Sequence, residues 1–336
     1  AAWSFTAGRL PGDHGRNPSF EPSAMAVERG AFEIDKLPYP NDPGRAAQTG
    51  VDRATASKLC SDAGGRLCHE LEWERACKGP AGDTYAGGSR WDESCEREPQ
   101  TCASAEGVLA LGSLREWTAS DVAPIGKTHP GGPALRGGGT TAGLADHRCA
   151  HRGVAKDSLT ADDLGFRCCY GDPPKIAVPS PSLHDDPFRS FDLPTTKLEE
   201  LFMSVPRLAS LAADIKYFHQ KAGVETILRR SEARATDPPP IPKGRTTAPL
   251  WWNPIAGEEL VVVTGQSGKS SFIVVFHQLP EGRYRVGAAM VMEDELGPVV
   301  LVYDPSVRNR LQWTTCWGCY GEMGEIDYRG GGRVVI

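Results

Sequence analysis

The spacing of apolar positions changes along this chain, and the changes mark its elements. In "ATASKLCSDAGGRLCHELEWERACKGP", residues 54 to 80, the pattern predicts a helix over 54–63, ended by Gly64-Gly65. It predicts a second over 70–78, with Leu71, Trp73 and Ala76 buried and Gly79-Pro80 as the stop. After Tyr170, "GDPPKIAVPSPSLHDDPFRSFDLP" reads as an extended linker. Leu198, Leu201, Phe202, Val205, Leu208, Leu211, Ile215 and Phe218 then recur at helical spacing. Pro206 interrupts that run, so two short helices are predicted, the second starting near Pro206. "DPPPIPKG" breaks the pattern again. From 258 onward, Val- and Tyr-rich runs alternate with "GQSGKS", "LPEGR", "EDELGP" and "RGGGR", the signature of an antiparallel meander. The expected domains are 1–172, a linker at 173–194, two short helices at 195–235 and a β-rich antiparallel domain at 236–336.

Composition narrows the class. With 37 basic and 43 acidic residues in 336, the net charge is −6, which argues against nucleic acid or an anionic membrane as the main partner. Runs such as "ELVVVTG" and "FIVVFHQL" are far too short to span a bilayer. The start, "AAWSFTAG", suggests a removed leader or anchor, or an excised ectodomain.

Ten cysteines change the picture more. Eight lie between 60 and 169, and the other two form "CWGC" at Cys316 and Cys319. Without a second CxxC or a Cys/His quartet, zinc is a poorer reading than an oxidised framework, which places the protein in the periplasm or outside the cell. "LGFRCCY" sets Cys168 beside Cys169. Neighbours on a strand point to opposite faces, so each needs its own partner.

Five segments in order carry a resemblance: "FEIDK" at Phe32 to Lys36, "GGRLCHELEWERACKGP", "GSLREWT", "RGGG", and "RCAHR" followed by "LGFRC". Together they resemble the formylglycine-generating enzyme family, or sulfatase-modifying factor domains, over roughly residues 25–170. The resemblance implies an α+β fold of variant C-type lectin-like type. It implies disulfides Cys60–Cys168 and Cys77–Cys149. Cys68 and Cys169, each beside an element so joined, are then expected to pair, and Cys95 and Cys102 to close a short loop. Cys316 and Cys319 are expected to form a small structural loop of their own.

Catalytic members need two thiols between "GGS" and "RCAAR" to hold copper(I). Residues 140–147 here are "TTAGLADH", with no cysteine, and the serine of "RGGS" is Gly139. Thr140 and Thr141 offer only hydroxyls, and Asp146 beside His147 is too few ligands for a tight site. The formylglycine reaction is therefore not expected, and no cofactor is assigned. Ser113 replaces the asparagine near which catalytic members bind calcium, leaving a structural calcium open. Glu116, Trp117, Arg136, Gly139, Asp146, His147 and Arg152 stand as groove or framework residues. His147 and His151 are expected on an extended strand at the rim. A related iron-dependent sulfoxide synthase would need a His-rich helical domain, and 195–232 offers only His219.

Three other signals read as structure. "GQSGKSS" has Val263 where a phosphate-binding loop needs glycine and is followed by a strand, so it is a hairpin turn. "CWGC" lacks the strand-helix context of a redox pair. Trp251-Trp252 is expected to anchor the tail against the helices. The sequence thus points to a non-catalytic secreted or periplasmic pseudoenzyme that binds protein partners, as a subunit or accessory of an envelope or extracellular assembly. The alternative is a maturation enzyme, oxidoreductase-like, acting on a substrate protein. Carbohydrate binding rests on the fold's name alone.

Overall fold

A computed structural model describes residues 3–127, 129–217, 227–229, 249–292, 299–303, 307–314 and 323–336. Two compact units emerge, one of residues 1–9 and 19–181, the other of residues 10–18 and 182–336. Both are α+β, the second dominated by strands. No helix among the described residues is long and apolar enough to cross a membrane. Cys316, Cys319, Phe218 and His219 lie outside the described residues.

The first unit opens on a hairpin, β1 (Trp3–Ala7) and β2 (Met25–Arg29). β3 (Glu33–Ile34), β4 (Arg66–Leu67) and β9 (Cys168–Tyr170) form a small antiparallel sheet in the order β3-β9-β4. A second sheet has the order β7-β6-β5-β8, built from β5 (Arg115–Val122), β6 (Gly132–Arg136), β7 (Gly153–Val154) and β8 (Leu164–Phe166). Helix α1 (Arg53–Asp62) begins where Asp52 accepts a hydrogen bond from Thr55 N at 2.8 Å, one residue earlier than the pattern predicts. Helix α2 (Glu70–Lys78) matches its predicted span. His69 caps it, Glu72 reaches back to His69 N at 2.8 Å, and Gly79 at φ +59° ends it. A short turn of helix, α3 (Ser94–Arg97), leads into the loop closed by Cys95 and Cys102.

Four disulfides staple this unit: Cys60–Cys168, Cys68–Cys169, Cys77–Cys149 and Cys95–Cys102. Cys168 and Cys169 leave β9 on opposite faces, one toward α1 and the other toward the residue after β4. The cysteine doublet is thus a double staple.

In the second unit, β14 (Leu260–Ser267) and β15 (Ser270–Leu279) form a hairpin in which Ser267 faces Ser270. "GQSGKS" is therefore the tight turn its sequence suggests. Around the hairpin run β10 (Phe188–Ser190), β13 (Leu250–Trp252) and β16 (Arg283–Met292), with β11 (Ile215–Tyr217) also on β14. A five-stranded sheet follows the order β12-β17-β18-β19-β20. Its strands are β12 (Ile227–Arg229), β17 (Val300–Tyr303), β18 (Arg310–Thr314), β19 (Met323–Tyr328) and β20 (Val334–Val335). β17 to β20 make the expected antiparallel meander, but β12 joins it in parallel. Pattern reading misses a parallel neighbour so distant in sequence.

Both faces of the six-stranded sheet are covered, which explains the unbroken apolar run "LVVV". Leu260, Val262, Ile273 and Val275 point to the five-stranded sheet, against Leu311, Trp313 and Ile326. Val261, Val263, Phe272, Val274 and Phe276 point the other way, against Leu198, Phe202, Leu208 and Leu211. Among the described residues of that layer only the first predicted helix forms, α4 (Thr195–Met203). The second is replaced by a 3-10 turn, Ala209–Asp214, and then β11. Edge pairing with β14 captures Ile215–Tyr217 before another helical turn can close. Trp252 enters the core between the sheets rather than facing the helices, while Trp251 stacks under the Arg189 guanidinium at 3.8 Å.

One polar cluster lies deep in this unit. Glu258 Oε2 takes Arg16 at 3.2 Å and the Tyr328 hydroxyl at 3.1 Å, and its Oε1 lies 2.7 Å from His277 Nδ1. Burial and the nearby Glu258 charge push the Tyr328 phenol up. A Cβ at Gly12 or Gly287 would come within 2.8 Å of the imidazole, so the ring needs glycine at both positions. The cluster fixes the 10–18 segment within this unit.

The twin staples make a specific prediction. With either Cys60–Cys168 or Cys68–Cys169 intact, the other closes an additional loop of only about ten residues in the unfolded chain. With Cys77–Cys149 kept, chain entropy then gives about 2.5 kcal/mol for removing one bridge and about 6 kcal/mol for removing both. Alanine pairs at each bridge, singly and combined, compared by urea denaturation, should show that excess over additivity.

Candidate functional site

The turn between β6 and the "RCAHR" segment sits on a buried ionic base. Helix α2 sends Glu70, Glu72, Glu74 and Lys78 inward, all at most 2% exposed. Arg136, at the end of β6, donates from one nitrogen to Glu70 and Glu74, both at 3.0 Å. Its other terminal nitrogen donates to the carbonyls of Cys149 and His151, at 3.0 and 3.1 Å. Arg152 closes on both oxygens of Glu70, at 2.6 and 2.9 Å. Glu74 also pairs with Lys78 at 2.8 Å and accepts from Gly8 N at 2.7 Å. Burial alone would raise the Glu74 carboxyl, but Lys78 and Arg136 outweigh it and hold the group below the usual carboxylate range.

Glu116 and Trp117 belong to a second buried group. Arg167 grips both oxygens of Glu116 at 2.7 and 2.6 Å, and the Trp73 indole donates to the same carboxylate at 3.0 Å. The Trp117 indole donates to the carbonyl of Val51 at 3.0 Å. All three atoms holding Glu116 come from within the framework.

Above this base, three glycines shape the turn. Gly137 adopts φ +76°, and a Cβ there would lie 2.7 Å from the Leu114 carbonyl oxygen. At Gly138 a Cβ would press on His147 Nδ1 at 2.9 Å, and at Gly139 on Asp163 Oδ2 at 2.8 Å. Asp163 is held in place by two hydrogen bonds from Arg115, at 2.8 and 2.6 Å. Residues 140–146 then fold as successive turns, with Ala142 N on Gly139 O and Asp146 N on Gly143 O. Thr140, Thr141 and Leu144 face solvent, Leu144 at 52% exposure.

The two histidines differ from expectation. His147 lies in a turn and His151 just after one, neither on a strand, and His147 is buried while His151 is partly buried. His147 is 7% exposed and stacks on Trp91 at 4.4 Å, and Tyr85 meets Trp91 edge-on at 5.6 Å. Trp91 is anchored by its indole, which donates to Glu96 at 2.9 Å. His151 packs against Phe20, and its Nε2 lies 3.3 Å from Asp146. The Nδ1 atoms of both rings are buried without a hydrogen-bond partner. Burial dominates their titration. It lowers His147 and takes His151 down to about 4, against the opposing pull of Asp146 and with help from Arg136, Arg148 and His147.

Of the residues singled out in sequence, Arg136, Arg152, Gly139, Asp146 and His147 converge on this turn, and Glu116 and Trp117 lie in the framework. Trp91, Glu70 and Arg167 are the important omissions. Trp91 lies in "SRWDESCE", where no spacing ties it to His147. Glu70 and Arg167 stand inside recognisable motifs, but charged residues are mostly exposed and nothing local marks these two as buried.

Residues 33–170 match the model of the family described as sulfatase-modifying factor enzyme 1-like domain. The chain carries a modifying-factor-like domain. No curated protein matches the chain. Among solved structures it is similar to PvdO from Pseudomonas aeruginosa, at 18% identity and TM-score 0.40, covering 50% of this chain and 91% of that one. It is also similar to Treponema denticola variable protein 1, at 15% identity and TM-score 0.38, covering 50% and 98%. Those likenesses are too distant to speak to activity.

The donors around the turn of the modifying-factor-like domain are hydroxyls, the Asp146 carboxylate and two imidazoles. All eight cysteines of the unit are in disulfides. This set does not fit copper(I), which seeks thiolates. Among the described residues no group of three or more His, Cys, Asp or Glu is arranged to hold a metal ion.

Two predictions follow the geometry. Arg136→Met strands carboxylates in the interior and should destabilise the domain by about 3–5 kcal/mol, whereas Lys58→Met, in the exposed Lys58–Asp62 pair, should leave the urea midpoint unchanged. The second concerns pH. His151 binds its proton less readily folded than unfolded, so stability is intact above the ordinary histidine pKa of about 6.5 and drains away as pH falls toward 4. At pH 5 this amounts to about 2 kcal/mol. His151→Gln should flatten the stability profile between pH 6.5 and 4 relative to the parent.

Proposed function

We propose that this chain is a non-catalytic relative of the modifying factors that recognises a protein partner outside the cytosol, as a subunit or accessory of an envelope or extracellular assembly. One observation carries the reading. The segment in which the resemblance places two catalytic thiols is "TTAGLADH", and the domain's cysteines are consumed by disulfides. The scaffold under that segment is complete, with Arg136, Glu70, Arg152 and the Cys77–Cys149 bridge holding it. A rigid base under an exposed turn suits recognition, with Leu144 as an apolar contact and Thr140 and Thr141 as adaptable hydrogen-bonding groups. The disulfide content supports residence in an oxidising compartment.

The purified protein, supplied with copper(I), is expected to leave a "CxPxR" peptide unmodified. Mass spectrometry showing conversion of the peptide cysteine to an aldehyde would overturn the non-catalytic reading. Partners captured from the native envelope should be lost with Leu144→Asp, and their undiminished capture by that variant would rule out this turn as the recognition surface.

A further inference from the structure

We infer that a cavity of about 510 Å³ in the modifying-factor-like unit binds a small monocarboxylate with an apolar body. It lies between the "FEIDK" segment, helix α2 and the loop at 106–108, and its volume falls in the range of small-molecule sites. The alternation of an extended segment builds it. Phe32, Ile34 and Lys36 face the cavity, while Asp35 points away, hydrogen-bonded to Cys168 N, Asn41 and the Tyr170 hydroxyl. The wall is thus graded along one side of the segment, two apolar side chains followed by a cation. Ala76 and Val108 complete the apolar surface.

Charge selects the head group. Arg75 also lines the cavity, but Glu106 neutralises it at 2.8 Å. The Lys36 ammonium is exposed and has no carboxylate partner among the described residues. A single cation therefore remains at the end of an apolar wall. That matches one negative charge. An apolar body along Phe32 and Ile34 would bring a carboxylate to Lys36. This site goes beyond the protein-recognition reading and does not depend on it.

Isothermal titration with 4-phenylbutanoate and with octanoate tests the assignment. Saturable one-to-one binding is expected, at least tenfold weaker for 4-phenylbutanamide, which lacks the charge. Lys36→Glu should weaken carboxylate binding at least tenfold, and so should Ala31→Trp, which fills the cavity from an exposed position on its wall. Unchanged far-UV circular dichroism is expected for both variants, since neither residue is buried. Absence of saturable binding by either carboxylate overturns the proposal, as does equal binding of the amide or indifference to both substitutions.

Discussion

A guanidinium with no access to water must be met by carboxylates and carbonyls, and Arg136 imposes that requirement on the elements around its two terminal nitrogens. Its partners are two carboxylates on α2 and two carbonyls of the segment after the exposed turn. Strand, helix and turn can satisfy it in only one relative position. Glu70 is in turn completed by Arg152, and Glu74 by Lys78 and Gly8 N. Such a network stabilises little compared with an apolar core of equal volume, but any member lost strands a charge in the interior. Its physical role is to make the arrangement unique.

That rigidity has a consequence for function. The residues that carry the resemblance to the modifying factors, "EWE", "EWT" and "GFRC", are largely those that fill and brace the base. The segment that departs from them, 140–147, is mostly exposed and held only at its ends, by glycines on one side and by His147 and Cys149 on the other. A scaffold of this kind can keep its shape while the exposed turn changes chemistry, which is how a binding surface and a catalytic one can share a framework.

The second unit reaches uniqueness differently. Its central hairpin is apolar on both faces, so a helical layer and a second sheet are both required to cover it. A deep polar group, Glu258 with Arg16, His277 and Tyr328, gathers side chains from three distant stretches of sequence. It specifies a position where apolar packing alone would tolerate several.

Much of this was legible in the chain. Helix α2 appears at its predicted limits because a cap and a stop bracket it, signals that are local. The GQSGKS turn is legible for the same reason. The fold of residues 33–170 and the pairs Cys60–Cys168 and Cys77–Cys149 follow from the resemblance, and the other two pairs from adjacency. What the sequence could not determine was long-range. Nothing local distinguishes Glu70 or Arg167, buried and paired, from solvated charges. His147 and His151 looked like rim residues until Trp91 and Phe20, from elsewhere in the chain, closed over them. The run 209–217 had helical spacing, and pairing with β14 overrode it. Capping, turn chemistry and periodicity act over a few residues, so sequence alone determined them; burial and ion pairing depend on what arrives from far along the chain, so tertiary structure alone could decide them.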